Sequence, residues 1–359
     1  MKWPEHGGQP ATMKQLFQLD KEKTILDFSA NLNPLGPPAW LKEELYNQYE
    51  SLTHYPDPSY SHSTASLAEH EGVDEGEVLL TNGGAEAIFL AAKYFEGKKA
   101  LILQPTFVEY ERACKHYHIE TEDIGLMPQD GFAVPLDFVL EKLTEKDVLF
   151  LCRPNNPTGT VVPEKEIRAL LDKGLKTNTY IVVDEAFVDF VPDLSLSSLV
   201  ALYPNLLLLR SLTKMYTIPG VRLGYMLGNS RLIKRLKAEQ IPWSINAWAD
   251  AIVPKLLEDK GFVDWTKIWL MEQSRTVRSS LASLGFYVSP SQANFYLLQD
   301  SQHPQQTDDL FRFLFHHGVL ARHTHNFKGL DGGYLRLAIR SEEENAKLIS
   351  ALQKWRMDR

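Results

Sequence analysis

The sequence has few of the features that mark secreted, membrane-spanning or nucleic-acid-binding proteins. Its two cysteines, Cys114 and Cys152, are too few for a disulfide framework or a structural zinc site. Its apolar runs fall well short of the roughly 18 residues that a membrane-spanning helix needs, and its first residues lack the apolar core of a secretory signal. A net charge of −8 without a dense lysine and arginine cluster argues against nucleic-acid binding. The sequence therefore predicts a cytoplasmic protein.

The histidines also lack a metal-binding pattern. The eleven histidines are scattered, and the two short groupings, His316-His317 and His323-x-His325, have no cysteine or carboxylate cluster beside them. We therefore predict no metal site. The remaining composition, 44% apolar and 23% charged over 359 residues, is typical of a globular protein with room for one large domain and a smaller one.

Short apolar strands alternate regularly with amphipathic helices from about residue 77 onward. The predicted strands of this region cover residues 77–81, 100–103, 147–152, 180–184 and 206–209. This alternation predicts an α/β fold with a mostly parallel sheet sandwiched by helices.

The pattern changes on both sides of this region. Residues 1–38 are irregular and rich in Gly, Pro and Asn, which predicts an arm that packs on the small domain and over a site. Residues 39–235 form the predicted large domain. Residues 236–359 combine helices with short strands, which predicts a smaller α+β domain.

One stretch, residues 211–222 (S-L-T-K-M-Y-T-I-P-G-V-R), carries the strongest chemical signal. Lys214 follows a buried strand, and partial desolvation beside a second cation such as Arg222 lowers the pKa of a lysine that must react as a neutral amine. The hydroxyls of Ser211 and Thr213 and the guanidinium of Arg222 suit a phosphate monoester. Together they suggest pyridoxal phosphate (PLP), an aldehyde that carries a phosphate. The alternative is a solvated loop lysine and a surface arginine.

Other unusual loops follow strands of the same predicted sheet, where open parallel sheets bind ligands. Gly84 and Ala85 begin a helix whose backbone N–H groups suit an anion. Asp184 can keep a pyridine nitrogen protonated, and Asn156 can donate to a ring oxygen. Phe107 can stack on the ring. Taken singly, Gly84 and Ala85 are also consistent with a plain turn, and Asp184 with a helix cap. Asn156 is also consistent with an Asx-type turn, and Phe107 with a core aromatic.

Two arginines near the end of the chain, Arg322 and Arg336, complete the predicted site. A dianionic substrate needs two cationic anchors, and a bidentate arginine–carboxylate pair fixes geometry as well as charge. Arg336 lies in an apolar strand, where a solvent-facing charge would also be unremarkable.

In this order, the motifs resemble those of the fold-type-I PLP enzymes of the class I/II aminotransferase superfamily, over nearly the whole chain. The resemblance implies Lys214 as the lysine that binds the cofactor and Asp184 as the partner of the pyridine nitrogen. It also implies a homodimer, because Tyr55 falls where the family sends a tyrosine to the neighbouring subunit's phosphate. The cofactor-binding residues that it implies are Gly84, Ala85, Phe107, Asn156, Asp184, Ser211, Thr213, Lys214, Arg222 and Tyr55.

Within the superfamily, the chain resembles threonine-phosphate decarboxylases first and histidinol-phosphate aminotransferases second. The H-G-G of the arm, the segment D-F-S-A-N-L-N-P-L-G and Phe187 in D-E-A-F favour the first, since the aminotransferases typically carry a tyrosine at that position. The resemblance implies decarboxylation of L-threonine O-3-phosphate to (R)-1-amino-2-propanol phosphate in cobalamin biosynthesis. We predict that His6, Asn31, Arg322 and Arg336 bind this substrate.

Two alternatives remain at this point. The first is aminotransfer on histidinol phosphate or another amino acid. The second is a PLP-fold binding protein without catalysis, against which the presence of Lys214, Asp184 and Arg336 argues.

Overall fold

The computed structural model describes residues 3–358. Residues 1, 2 and 359, at the ends of the predicted arm and small domain, lie outside the described residues. The strands are β1 (Leu26–Asp27), β2 (Val78–Thr81), β3 (Lys99–Gln104), β4 (Glu120–Gly125), β5 (Val148–Cys152), β6 (Tyr180–Asp184), β7 (Leu206–Ser211), β8 (Gly224–Gly228), β9 (Phe286–Val288), β10 (Phe295–Asp300), β11 (Val319–Leu320), β12 (Arg322–His323) and β13 (Leu335–Ala338).

The helices alternate with groups of these strands along the chain. They are α1 (Pro10–Leu16), α2 (Leu41–Asn47), α3 (Ser61–Glu71), α4 (Gly83–Tyr94), α5 (Glu109–His116), α6 (Leu136–Lys142), α7 (Glu164–Thr177), α8 (Ser230–Glu239), α9 (Ala247–Glu258), α10 (Lys260–Ser283), α11 (Thr307–His316) and α12 (Glu342–Met357). Short 3-10 helices cover Tyr49–Thr53, Glu75–Glu77, Pro128–Asp130, Leu143–Glu145, Val188–Phe190, Pro192–Leu194 and Ser197–Leu199. Within residues 3–358, no helix has both the length and the apolar character needed to cross a bilayer.

The central sheet has seven strands in the order β2-β8-β7-β6-β5-β3-β4. The strands from β7 to β4 run parallel, and β8 runs antiparallel to both of its neighbours. Both faces are covered, since Leu101 and Leu103 of β3 pack in one apolar cluster and Ala100 and Ile102 in another. The predicted α/β fold with a mostly parallel sheet is therefore confirmed.

The sequence prediction was incomplete in several places, since it did not assign the strands β8, β11 and β12. It also missed β4, whose residues E-T-E-D-I-G are largely polar because the strand lies at the sheet edge and only Ile124 is buried. The region predicted as irregular contains the short helix α1 and the strand β1, which pairs parallel with β11. The bounds of the predicted strands differ from the observed ones by at most two residues, and those of β6 agree.

A second sheet of four antiparallel strands, in the order β12-β13-β10-β9, lies in the last part of the chain. The early segment is attached to this part, because Phe28 N–H donates to the carbonyl of Leu320 and Phe28 O accepts from Ala338, each at 2.9 Å. The N-terminal segment therefore reaches the same part of the molecule as the small sheet. The boundaries at residues 38 and 235 stay a prediction.

A buried charge network lies beside the end of β6. The carboxylate of Glu185 contacts Arg153 at 3.3 Å and Arg210 at 3.1 Å, and Arg210 also contacts Glu71 at 3.3 Å. All four side chains are nearly inaccessible to water. Because removing one member of a buried ion pair leaves an uncompensated charge, this network holds the strand end that carries Asp184.

We predict that Arg210→Met lowers the free energy of unfolding by about 3–5 kcal/mol, because buried carboxylates lose their cation. Urea denaturation of the purified protein measures this change. Arg168→Met is the control, since Arg168 forms an exposed pair with Glu164, and its expected effect is within about 0.5 kcal/mol. Equal effects of the two variants would contradict the prediction.

Candidate active site

A pocket of about 680 Å³ lies at the carboxyl ends of β5, β6 and β7. Its other walls come from the N-terminal segment and from β12 and β13. Every site residue predicted from the sequence lines this pocket except Tyr55, whose side chain is exposed and packs on Trp243 with ring centroids 5.0 Å apart. The topology therefore brings together groups that are far apart in the chain.

Lys214 follows β7 and faces this pocket. Burial lowers the pKa of its amine to about 8, and the positive charges of Arg222 and Arg336 act in the same direction, while Asp184 opposes them. The amine thus has the environment that a reactive lysine requires.

The start of α4 and the end of β7 form an anion cradle. Gly84 and Ala85 stand in the first turn of α4, where backbone N–H groups and the helix dipole favour negative charge. The hydroxyls of Ser211 and Thr213 lie 2.8 Å apart on the same wall. These groups suit a phosphate.

Arg222 completes the cradle and explains the glycine beside it. A Cβ on Gly83 would lie 2.6 Å from Nη2 of Arg222, and Gly83 has a φ of +73°. A side chain at this position is therefore excluded both by the guanidinium and by the backbone conformation.

Asp184 is held by two donors. The hydroxyl of Tyr110 donates to Oδ2 at 2.6 Å, and the backbone N–H of Ala186 donates to Oδ1 at 2.9 Å. Burial raises the pKa of Asp184, and these hydrogen bonds and the charge of Lys214 partly offset that effect. Sequence reasoning missed Tyr110, since an aromatic residue on a helix is usually a core residue; its position three residues after Phe107 was the available signal.

Asn156 and Phe107 both line the pocket. Oδ1 of Asn156 accepts from Arg336 at 2.5 Å, which leaves its amide nitrogen as a donor without a protein partner among residues 3–358. The Phe107 ring lies 6.0 Å from the ring of His6. The side chain of Asn31 is buried, and its Oδ1 has no partner within the described part of the chain.

Arg322 and Arg336 lie directly opposite each other on β12 and β13. They are only 3% and 6% exposed, and neither forms a salt bridge with any described residue. Burial lowers the pKa of Arg322 to about 10, and burial together with the charge of Arg322 lowers the pKa of Arg336 to about 9. The charge of Asp27 partly offsets the lowered pKa of Arg336, but Asp27 forms no salt bridge with it. Two adjacent buried cations without a salt-bridged carboxylate are expected to bind an anionic ligand.

The hydrogen bonds of these arginines involve the N-terminal segment. Arg336 donates to the carbonyl of Ser29 at 2.6 Å, and its Nε has no partner among the described residues. Arg322 donates to the carbonyls of Pro4 and Glu5 and, at 2.7 Å, to Oδ1 of Asn326. No described group of three or more His, Cys, Asp and Glu side chains has an arrangement that would hold a metal ion.

A lysine of lowered pKa, a buried carboxylate and an anion cradle at the edge of a parallel sheet define an enzyme that binds a phosphorylated carbonyl cofactor. The family model "Aminotransferase class I and II" matches residues 23–352. The chain therefore belongs to the class I and II aminotransferase family, and the predicted resemblance is confirmed.

Relatives of two activities are similar to this chain. Threonine-phosphate decarboxylase of Salmonella typhimurium is 36% identical over 352 residues, which cover 97% of this chain and 95% of that protein. The structure of L-threonine-O-3-phosphate decarboxylase from Porphyromonas gingivalis is 28% identical, with a TM-score of 0.79 and coverage of 92% and 99%. The structure of histidinol-phosphate aminotransferase from Clostridium acetobutylicum is 27% identical, with a TM-score of 0.88 and coverage of 93% and 100%.

The cofactor of this family is PLP, and the pocket residues fit it. The cradle has room for a phosphate beside Gly84, where an added Cβ would come no closer than 4.0 Å to Ser211. Asp184 is a buried acceptor, and Lys214 lies close enough to it for their charges to interact. PLP as the cofactor is confirmed, while the role of each residue toward it stays a prediction.

We predict that cofactor-free protein captures added PLP faster as the pH rises, with a plateau above about pH 8. The physical reason is that the neutral fraction of the Lys214 amine increases until the pH passes its lowered pKa. Stopped-flow absorbance measures the rate. A rate that keeps rising toward the ordinary lysine pKa of 10.5 would contradict the prediction.

We also predict that Tyr110→Phe raises the dissociation constant of PLP about ten- to hundredfold, because a hydrogen bond to a charged group contributes about 1.5–3 kcal/mol. Absorbance after equilibrium dialysis measures this constant. Tyr296→Phe is the matched control, since Tyr296 is buried and its hydroxyl has no partner within residues 3–358. The prediction is wrong if both variants retain PLP equally well.

Proposed function

We propose that this enzyme decarboxylates L-threonine O-3-phosphate to (R)-1-amino-2-propanol phosphate, the cobalamin-biosynthesis reaction predicted from the sequence. The observation that carries the proposal is the buried pair Arg322 and Arg336, opposite each other without a carboxylate partner among the described residues. The substrate has two anionic groups, a carboxylate and a phosphate, and the pair offers two cations. The similarity to threonine-phosphate decarboxylases over 97% of the chain supports the same reaction.

The proposed roles of the residues follow from their surroundings. Arg322 and Arg336, with His6 and Asn31, bind the anionic groups of the substrate and orient it. Asp184 keeps the pyridine nitrogen protonated. Bound PLP supplies the sink for the electron pair left at Cα when CO2 departs. The amine of Lys214, or a water that it positions, returns a proton to Cα.

The orientation of the substrate decides which bond breaks. Bound PLP would take up the electrons of only one of the bonds at Cα, so the residues that orient the substrate would select that bond. Interactions with a phosphate remote from Cα can orient the substrate so that the bond to the carboxylate is selected. The arginine pair comes from β12 and β13 of the small sheet, whereas the cradle comes from α4 and from the end of β7 in the central sheet, and these different origins support recognition of a second anion.

Histidinol-phosphate aminotransfer is the second candidate function, favoured by the structural likeness to such an enzyme. Phe187 lines the pocket and packs on Phe295 with ring centroids 4.8 Å apart. A phenyl ring at this position offers no hydroxyl to the cofactor, which favours the decarboxylase over the aminotransferases that carry tyrosine there.

We also propose a homodimer in which Tyr55 reaches the partner's cofactor phosphate. Tyr55 is 83% exposed, and further exposed apolar side chains occur nearby in the chain and around Trp243. This apolar surface supports an interface. A cytoplasmic location is proposed from the composition and from the two free, buried cysteines.

The test of the reaction is an assay of purified enzyme with threonine phosphate. We expect CO2 release over many turnovers without a 2-oxo acid, accompanied by recovery of the starting cofactor absorbance. A half-reaction with histidinol phosphate or glutamate that stops until a 2-oxo acid is added, without CO2, would establish the aminotransferase instead.

Arg322→Ala is expected to lower kcat/KM for threonine phosphate about 10- to 100-fold, because a charge-assisted hydrogen bond contributes about 1.5–3 kcal/mol. The control is Arg312→Ala, an exposed arginine on α11 that contacts Phe17, and it should match the wild type. Unchanged turnover in Arg322→Ala would contradict the proposal that Arg322 binds the substrate.

A further inference from the structure

The start of α5 brings a carboxylate to the mouth of the cationic pocket. Glu109 is the first residue of α5, is 8% exposed, and lines the pocket. Its Oε1 lies 3.1 Å from Nε2 of His6 and accepts from Nη1 of Arg112 at 3.0 Å. The hydrogen bond from His6 is the largest contribution that lowers the pKa of Glu109. The sequence analysis did not single out this residue.

The position of His6 depends on this contact. Its side chain is 43% exposed, and its close polar contact among the described residues is the Glu109 carboxylate, 3.1 Å from Nε2. The contact uses Nε2, so Nδ1 is left without a protein partner in residues 3–358. The ring also lies beside Phe107, a nonpolar neighbour that restricts the ring without directing its nitrogens.

The backbone on either side of His6 is fixed by other groups. Gly7 packs so closely on Ser29 that an added Cβ would lie 2.1 Å from the Ser29 carbonyl oxygen, and Gly8 N–H donates to Ser29 Oγ at 2.8 Å. On the other side, the carbonyl of Glu5 accepts from Arg322. The backbone is therefore held over the pocket by Ser29 and Arg322, while the imidazole itself is directed by Glu109.

We propose that Glu109 is a positioning residue for substrate recognition: it holds the His6 imidazole at the pocket mouth through Nε2, so that the ring, when protonated on both nitrogens, presents Nδ1–H to the substrate phosphate. This inference rests on the proposed function, in which His6 binds the phosphate end. Glu109 acts through His6 and does not itself contact the phosphate, since two anions would repel each other.

The first experiment measures steady-state kinetics of the holoenzyme with threonine phosphate. Glu109→Ala should raise KM about tenfold with kcat within about twofold, because a ground-state contact that persists in the transition state affects KM alone. Glu109→Gln keeps an acceptor oxygen for Nε2 and should recover most of the loss. Glu111→Ala is the matched control, since Glu111 lies on the same helix and pairs with the exposed Lys328; its KM should equal that of the wild type.

A double-mutant cycle separates positioning from a general effect on the pocket. In a His6→Ala background, Glu109→Ala should have little further effect on KM, because the group through which it acts is gone. The same increase in both backgrounds would overturn the proposal. So would a fall in kcat with unchanged KM.

Two readouts do not depend on turnover. Binding of inorganic phosphate, followed by cofactor absorbance, should be weaker in Glu109→Ala than in the wild type, whereas hydrogen exchange of the amides in residues 5–9 should be unchanged, because Ser29 and Arg322 hold that backbone. Equal phosphate affinity in the two proteins would overturn the role of Glu109. The proposed function fails by a different result, which is the absence of CO2 release from threonine phosphate in the wild-type enzyme.

Discussion

The site depends on one constraint, which is that the Lys214 amine is buried away from water and lies near two cations. Burial, Arg222 and Arg336 all favour the neutral amine, and the carboxylate of Asp184 is the opposing charge. Burial also disfavours the charged form of Asp184, so the hydrogen bonds from Tyr110 and Ala186 are needed to favour its ionised form. Each buried polar group thus depends on the next, and the parallel strands supply the common edge at which they meet.

The sequence was sufficient for the groups that lie at strand ends. Apolar strands followed by polar loops predicted the sheet and the meeting of Asn156, Asp184 and Lys214, because parallel strands end at one edge. Tyr110 and Glu109 were missed, since they lie on a helix whose pattern of apolar and charged residues resembles that of any surface helix. Their roles depend on tertiary contacts: Tyr110 contacts the Asp184 carboxylate, and Glu109 contacts the His6 ring. No local sequence pattern predicts such contacts.

The arginine pair links recognition of a ligand to the N-terminal segment. Antiparallel pairing of β12 and β13 sets Arg322 opposite Arg336, and like charges in this arrangement repel each other. Backbone carbonyls of Pro4, Glu5 and Ser29 solvate the two guanidinium groups only in part, because a carbonyl carries no net charge. A bound anion would supply the missing charge. The segment and the ligand therefore share the same donors, which explains why residues far apart in the chain form one recognition surface.

This arrangement also bears on the choice between losing CO2 and losing a proton from Cα. Both reactions use the same lysine, carboxylate and cradle, so these groups cannot discriminate between them. Discrimination requires a group that fixes the rotation about the bond to the amine nitrogen, and in the proposed binding mode a remote phosphate bound by the arginine pair would fix it. Phe187 adds no polar contact near the ring that would compete with this control. Under this proposal the choice of reaction depends on the wall formed by β12, β13 and the N-terminal segment, whose residues are brought together by tertiary contacts and not by one sequence motif.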